Sequence, residues 1–337
     1  MITGFFNHFR LTWRLFRDKR VNGLLKFFLV GIPAVYVVLP IPFSDDVTND
    51  FLPLIGLLDD FCIFIVTTII FHALCPHAIV HEYKMILTGK SPAPGMKSLE
   101  TYRCRKENRD LATGFLSAIA LTLLGGYLAG IVLLFCFFWG YLSVKSMRSR
   151  YLATAVQVSE TQFPDLYESL RKAQGFLPPV SVNLFVSNNP QMNAFTFGYG
   201  EPYTIVLNSA LAEKFEKAEI QAVIGHELGH ILFGHTKILS ILAPQKGIGQ
   251  LFFTKWSRSC EYSADTAAWL ASNRDVKPYV SALLMLVSGL RGNYDVQAFL
   301  EQTDKPSAKA ASLMEFLDTH PLINKRIKNI LQLSKSG

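Results

Sequence analysis

His226-Glu227-Leu228-Gly229-His230-Ile231-Leu232-Phe233-Gly234-His235 is the stretch that decides how this chain is read. It closes a run from Ala218 to His235 that is apolar at Ile220, Val223, Ile224, Leu228, Ile231 and Leu232, which is helical spacing. Residues four apart share a helix face, so His226 and His230 present two imidazoles to one point. Glu227 stands beside them, where its carboxylate reaches a water held at that point. HExxH therefore supplies two ligands and a base for a zinc hydrolase centre. Gly225 and Gly229 leave room for another backbone to pack closely against this helix.

Zinc in hydrolases takes three protein ligands and a water, so a third ligand must come from elsewhere. One known arrangement places a Gly and a His three and six positions after the second histidine. Those positions hold Phe233 and Thr236; Gly234 and His235 are each displaced by one. The other arrangement uses a glutamate on a separate downstream helix, and Glu261 in Glu261-Tyr262-Ser263-Ala264-Asp265 is the candidate. Asp265, one turn further on the same face, is placed to accept a hydrogen bond from a ligand imidazole and fix its orientation. His8, His72, His77, His81 and His235 read as non-ligands; His77, His81 and Glu82 stand in the order HxxxHE.

HELGHILFGH, then EYSAD, then His320-Pro321 with Arg326, resembles the M48 peptidase family of HtpX/Ste24-like membrane metalloproteases over roughly residues 150–335. The resemblance implies an α+β fold, a mainly helical zincin domain of the gluzincin type with a small sheet. It implies one Zn2+ per chain on His226, His230 and Glu261, with Glu227 as general base and acid. His320 resembles the family histidine that donates to the tetrahedral oxyanion, and Arg326 is a partner for Asp265 or another acidic group of the site. Asn193-Ala194-Phe195 resembles a family segment on a strand beside the substrate cleft, where backbone pairs with an extended peptide. The implied function is a membrane-anchored zinc endopeptidase acting on membrane or membrane-proximal polypeptides in protein quality control. The competing reading is a non-catalytic or latent membrane scaffold that retains the zinc-binding fold. Intact Glu227 weighs against that scaffold, because a structural zinc needs no base. HtpX-like proteins carry apolar spans between the two halves of the motif. Here residues 236–258 are broken by Pro244, Lys246, Gly247, Gly249 and Lys255, which puts the anchor at the N-terminal side only.

Composition agrees with an anchored enzyme. Half of the 337 residues are hydrophobic, and they gather in long runs within the first ~145 positions. The net charge is +7, and the excess flanks those runs: residues 1–150 carry 16 Lys/Arg against 10 Asp/Glu, residues 151–337 carry 17 against 16. That distribution fits a lipid surface rather than nucleic acid, for which no motif is present. Five cysteines with no CxxC pair read as free thiols of a reducing compartment, and no cleavable signal peptide is evident. A bacterial inner membrane with the catalytic domain on the cytoplasmic side is the expected location.

Residues 5–20 mix aromatic and basic side chains at helical spacing, as a helix lying on a membrane surface does. Apolar segments follow at 24–43 and 51–75. The stretch from Val38 to Phe64, with Phe51-Leu52-Pro53-Leu54-Ile55-Gly56 and Leu58-Asp59-Asp60, resembles the YkvA-like (DUF1232) membrane module. Residues 115–144 form a third apolar run; as a helix it would measure ~45 Å against ~30 Å of hydrocarbon. Both flanks are basic, so charge does not choose between one span and a re-entrant bend at Gly125-Gly126. The expected plan is a basic amphipathic segment at 1–23, a YkvA-like membrane pair with a basic loop at 24–112, an apolar membrane segment at 113–147 and the peptidase domain at 148–337. Within that domain, helices are expected at 151–174, 209–216, 218–235, 257–272, 276–290, 307–317 and 322–333, with strands at 180–186, 193–198 and 203–207.

Overall fold

A computed structural model describes residues 2–23, 25–27, 29–31, 67–68, 71–72, 75–89, 99–242, 248–304 and 320–336. The YkvA-like stretch at 38–64 and the helix expected at 307–317 lie outside these residues. The chain divides into two compact units, Met1–Pro92 and Ala93–Gly337.

In the first unit, α1 (Ile2–Arg17) and α2 (His77–Leu87) pack through Leu11, Leu15, Cys75 and Ile79. Arg20 bridges Asp18 (2.7 Å) and Glu82 (2.8 Å), and the Tyr83 hydroxyl donates to Asp18 (2.8 Å). The opposite side of α1 exposes Phe9 and Trp13 together with Arg10, Arg14 and Arg17.

The second unit opens with a short 3-10 turn at Glu100–Tyr102 and a 48-residue helix, α3 (Glu107–Thr154), unbroken through Gly125-Gly126. Side chains 118–134 of α3 are outside the described set. Among the described residues no helix is long and apolar enough to cross a membrane. The helix expected at 151–174 is two elements: α3 ends at Thr154, and α4 (Pro164–Phe176) begins after Phe163 in left-handed conformation, with Pro164 fixing the first helical φ. Between them lies β1 (Val156–Gln157), a strand too short to show periodicity.

The sheet has four strands in the order β1-β2-β4-β3, with β2 at Val182–Ser187, β3 at Ala194–Phe197 and β4 at Tyr203–Asn208. β2 and β4 run parallel; β1 is antiparallel to β2, and β3 to β4. β4 is buried along its whole length, which leaves β3 as an edge strand. Val144 and Tyr151, near the end of α3, pack against Phe197 and Phe195 of that edge strand.

α5 (Ser209–Lys214) leads into the motif helix α6 (Lys217–Leu232), which is followed by α7 (His235–Leu242), α8 (Ile248–Ala271), α9 (Lys277–Ser288), α10 (Val296–Asp304) and α11 (Ile323–Ser336). α7 and α10 have no counterpart among the expected helices, and α8 starts earlier than 257. α6 is buried on nearly every side, as a central helix must be. Its first turn is closed by a reciprocal capping box between Glu216 and Glu219. At its end Gly234 takes φ +83, a left-handed turn that stops the helix one residue before His235. α6 and α8 touch backbone to backbone: a Cβ on Gly229 would lie 2.7 Å from Cβ of Ala267 and 3.0 Å from Cα of Ala264. This close approach sets the histidines of α6 against Glu261 of α8.

Candidate metal centre and active-site cleft

His226 and His230 face each other with their Nε2 atoms 3.2 Å apart. Glu261 completes the triangle, Oε2 lying 3.5 Å from His226 Nε2 and Oε1 3.4 Å from His230 Nε2. Donors that sit about 2.0–2.1 Å from a tetrahedral zinc stand about 3.3–3.4 Å from one another. The two imidazole nitrogens therefore stand at the spacing of two zinc donors, with one carboxylate oxygen of Glu261 near each, and the donor set of two imidazoles and a carboxylate suits that ion. Charge agrees: burial disfavours the His226 imidazolium, yet hydrogen bonds with Asp265 and Glu261 outweigh it and raise the pKa to about 9. Burial also opposes ionisation of Glu261. His320, Arg326 and both ligand histidines overcome it and hold the carboxyl well below the usual range. The cluster is built to hold positive charge.

The back of His226 is held from three elements. Its Nδ1 lies 3.2 Å from Asp265 Oδ1 and 2.9 Å from the Tyr279 hydroxyl. Tyr279 donates to the same carboxylate oxygen (2.5 Å), and Arg326 Nη2 donates to that oxygen (2.6 Å) and to the Tyr279 hydroxyl (2.7 Å). Arg326 Nη1 also meets Glu261 Oε2 at 3.1 Å. Both charge pairings open to Arg326 in the sequence thus occur together. Tyr279 belongs to no motif; only folding brings α9 to the site.

The back of His230 is held differently. Its Nδ1 lies 3.1 Å from Nδ1 of His235, whose Nε2 lies 3.1 Å from Glu107 Oε1 at the start of α3. Glu107 is also bonded by Arg103 and by the Ser263 hydroxyl (2.6 Å). Arg103 Nη2 further donates to the Phe233 carbonyl (2.9 Å), capping the end of α6. Burial lowers the His235 pKa to about 4 against the pull of Glu107, so the ring is neutral. The compact unit therefore begins well before residue 148, because Arg103 and Glu107 are part of the site's frame.

Glu227 lines a cleft of about 530 Å³ beside the three donors and makes no ion pair among those described. Burial raises its carboxyl above the ordinary range, against the pull of His226 and His230. One wall of the cleft is the β3 edge, with Asn193, Ala194 and Phe195; another carries Val223, Leu283 and Leu286. His320 sits at the mouth, two-thirds exposed, with Nδ1 3.2 Å from Glu261 Oε1. All ten candidate residues read from the sequence thus border or support one cleft.

The sequence profile of peptidase family M48 matches residues 165–243 and 236–334, half of the chain. The chain belongs to peptidase family M48. Other M48 relatives include the plastoglobule-localized metallopeptidase 48 of Arabidopsis thaliana, 33% identical over 190 residues, covering 50% of this chain and 55% of that protein. An HtpX protease homolog of Helicobacter pylori is 27% identical over 207 residues (49% of this chain, 64% of that one), and one of Bacillus subtilis 28% over 137 (40% and 42%). The match spans about two-fifths to just under two-thirds of these relatives' length. The crystal structure of S. mikatae Ste24p aligns over 96% of this chain and 95% of its own at 14% identity and a TM-score of 0.33, too loose to bear on the arrangement.

Proposed function

We propose that this M48 chain is a zinc-dependent endopeptidase anchored in a membrane by residues before 148. The observation that carries the reading is the cluster of His226 and His230, their Nε2 atoms 3.2 Å apart, with a Glu261 oxygen 3.4–3.5 Å from each and Glu227 beside them in a cleft bordered by an edge strand. A zinc ion held by His226, His230 and Glu261 would supply Lewis acidity to the scissile carbonyl and to the attacking water. Glu227 takes the water's proton and delivers it to the leaving amine. His320, at the mouth of the cleft, donates to the developing oxyanion. The free edge of β3 at Asn193-Ala194-Phe195 pairs with an extended substrate, which suits cleavage within a chain.

Attachment to the bilayer rests on the apolar runs at 24–43, 51–75 and 115–144 and on the α1 face that shows Phe9 and Trp13 among arginines. The bacterial inner membrane, with the catalytic unit on its cytoplasmic face, is the proposed location. A tethered site meets membrane-proximal chains at high effective concentration, so damaged or misassembled membrane proteins are the proposed substrates. Metal analysis and casein cleavage, with and without a chelator, test the core of the reading. One zinc per chain and chelator-sensitive cleavage are expected. Glu227→Gln should lower cleavage by about 10²–10⁴-fold with zinc content retained; unchanged cleavage would refute the assigned base. Protease accessibility in sealed vesicles tests the side of the membrane: digestion of the catalytic unit only after lysis would reverse the proposed orientation.

A further inference from the structure

We propose that Glu107 and His235 are positioning residues for the ligand His230, so that the segment entering α3 is a working part of the metal centre. The inference rests on the zinc reading above and extends it to two residues that the motif does not include. Its basis is the order of protons that the distances permit. A neutral imidazole that offers its Nε2 lone pair to a metal carries its proton on Nδ1. His230 Nδ1–H therefore donates to His235 Nδ1, 3.1 Å away. His235 must accept there, so its own proton resides on Nε2, which donates to Glu107 Oε1 at 3.1 Å. Each link leaves one choice. Glu107 stays ionised as the final acceptor because Arg103 and the Ser263 hydroxyl bind it.

The ring that transmits this order is locked in place. His235 is buried, stacked on Phe233 (centroids 5.6 Å apart, planes at 18°) and set edge-on to Trp256 (6.3 Å). The two ligand histidines are thus backed alike, each by a carboxylate that an arginine neutralises. Asp265 reaches His226 directly; Glu107 reaches His230 through one intervening imidazole.

Glu107, His235 and Cys260 also lie close enough to suggest a second metal site. Their bonding argues otherwise. Arg103 already supplies the cation at Glu107, and His235 spends Nδ1 on His230.

The test uses the full chain, stripped of metal and titrated with zinc against a competing chelator. His235→Phe keeps the ring volume and breaks both hydrogen bonds; zinc affinity should fall by about 10–100-fold. His235→Gln offers an acceptor to His230 and a donor to Glu107, and should bind at least ~10-fold more tightly than His235→Phe. Affinities are compared at a temperature where both metal-free variants are folded, since His235→Phe, which leaves the buried His230 Nδ1–H unpaired and takes one donor from Glu107, should melt below His235→Gln. If His235→Phe shows no cooperative melt, His235→Asn takes its place, an amide one methylene too short to meet both partners, with the same gap expected. Wild-type affinity in the variant that breaks the relay, or a Gln variant no better than it, overturns the proposal. A wild-type chain that takes up no zinc overturns the zinc reading itself, a separate result.

Discussion

The two sides of the metal centre differ in how they are assembled. His226 is backed by Asp265, which shares α8 with the third donor, Glu261, so one helical turn supplies ligand and support together. His230 is backed through His235 by Glu107, 128 positions from His235 in the chain. In the first arrangement, the pairing of Glu261 with Asp265 on one face follows from helix periodicity, and Tyr279 and Arg326 join it by packing. The second exists only once α3, α6, α7 and α8 have come together. A site can thus be half written in short-range pattern and half in tertiary packing, and the two halves should fail differently.

The largest failure is expected on the Asp265 side. Asp265→Ala takes the acceptor from the buried Tyr279 hydroxyl and from one edge of Arg326, which keeps Glu261 on its other edge. That should cost about 3–5 kcal/mol in a denaturant melt and weaken zinc by about 10–100-fold. A melt unchanged from wild type would break the contrast, since the side read as tightly built would then carry little.

Acid should expose the other side. Burial opposes ionisation of Glu107, but Arg103 and His235 carry its pKa from 4.5 down to about 2. A depressed carboxyl gives stability that is complete above its unfolded pKa and is lost as the pH falls through the folded one. Metal-free protein should therefore lose on the order of 3 kcal/mol from this group between pH 4.5 and 2. Glu107→Gln should start less stable and show a shallower acid loss over that window, read from melts at stepped pH. Parallel curves would mean that Glu107 is not the group responsible.

The smallest effect should fall on both sides at once. Gly229→Ala places a methyl against Ala267 and Ala264 and must move α6 from α8, at about 1–3 kcal/mol. Because that shift separates both histidines from Glu261, zinc binding should weaken together with the melt. A loss of stability with wild-type zinc affinity would show that the close helix contact serves packing alone.

The motif helix, three of the four strands and the ExxxD helix are legible because periods of 3.6 and 2 need only neighbouring residues; β1, two residues long, shows no period. The break between α3 and α4 was marked by Pro164, yet the apolar spacing on either side suggested one helix across it. α7 escaped notice because a glycine precedes it and a proline and glycines follow, which together resemble a loop. Tyr279 and Glu107 carried no signal, since nothing near either residue refers to a histidine far away. His235 did carry one: a polar ring at the end of an apolar run, one position off a ligand spacing. Spacing alone marks it as a non-ligand and says nothing of a supporting role, which depends on Glu107 far away in the chain.

The left-handed turn at Gly234 gives that one-position offset its meaning. It reverses the chain just past His230, so that His235 comes round to the Nδ1 side of the His230 ring and not to the Nε2 side. The handedness of a single peptide unit thus decides whether a third histidine joins the coordination sphere or stands behind it.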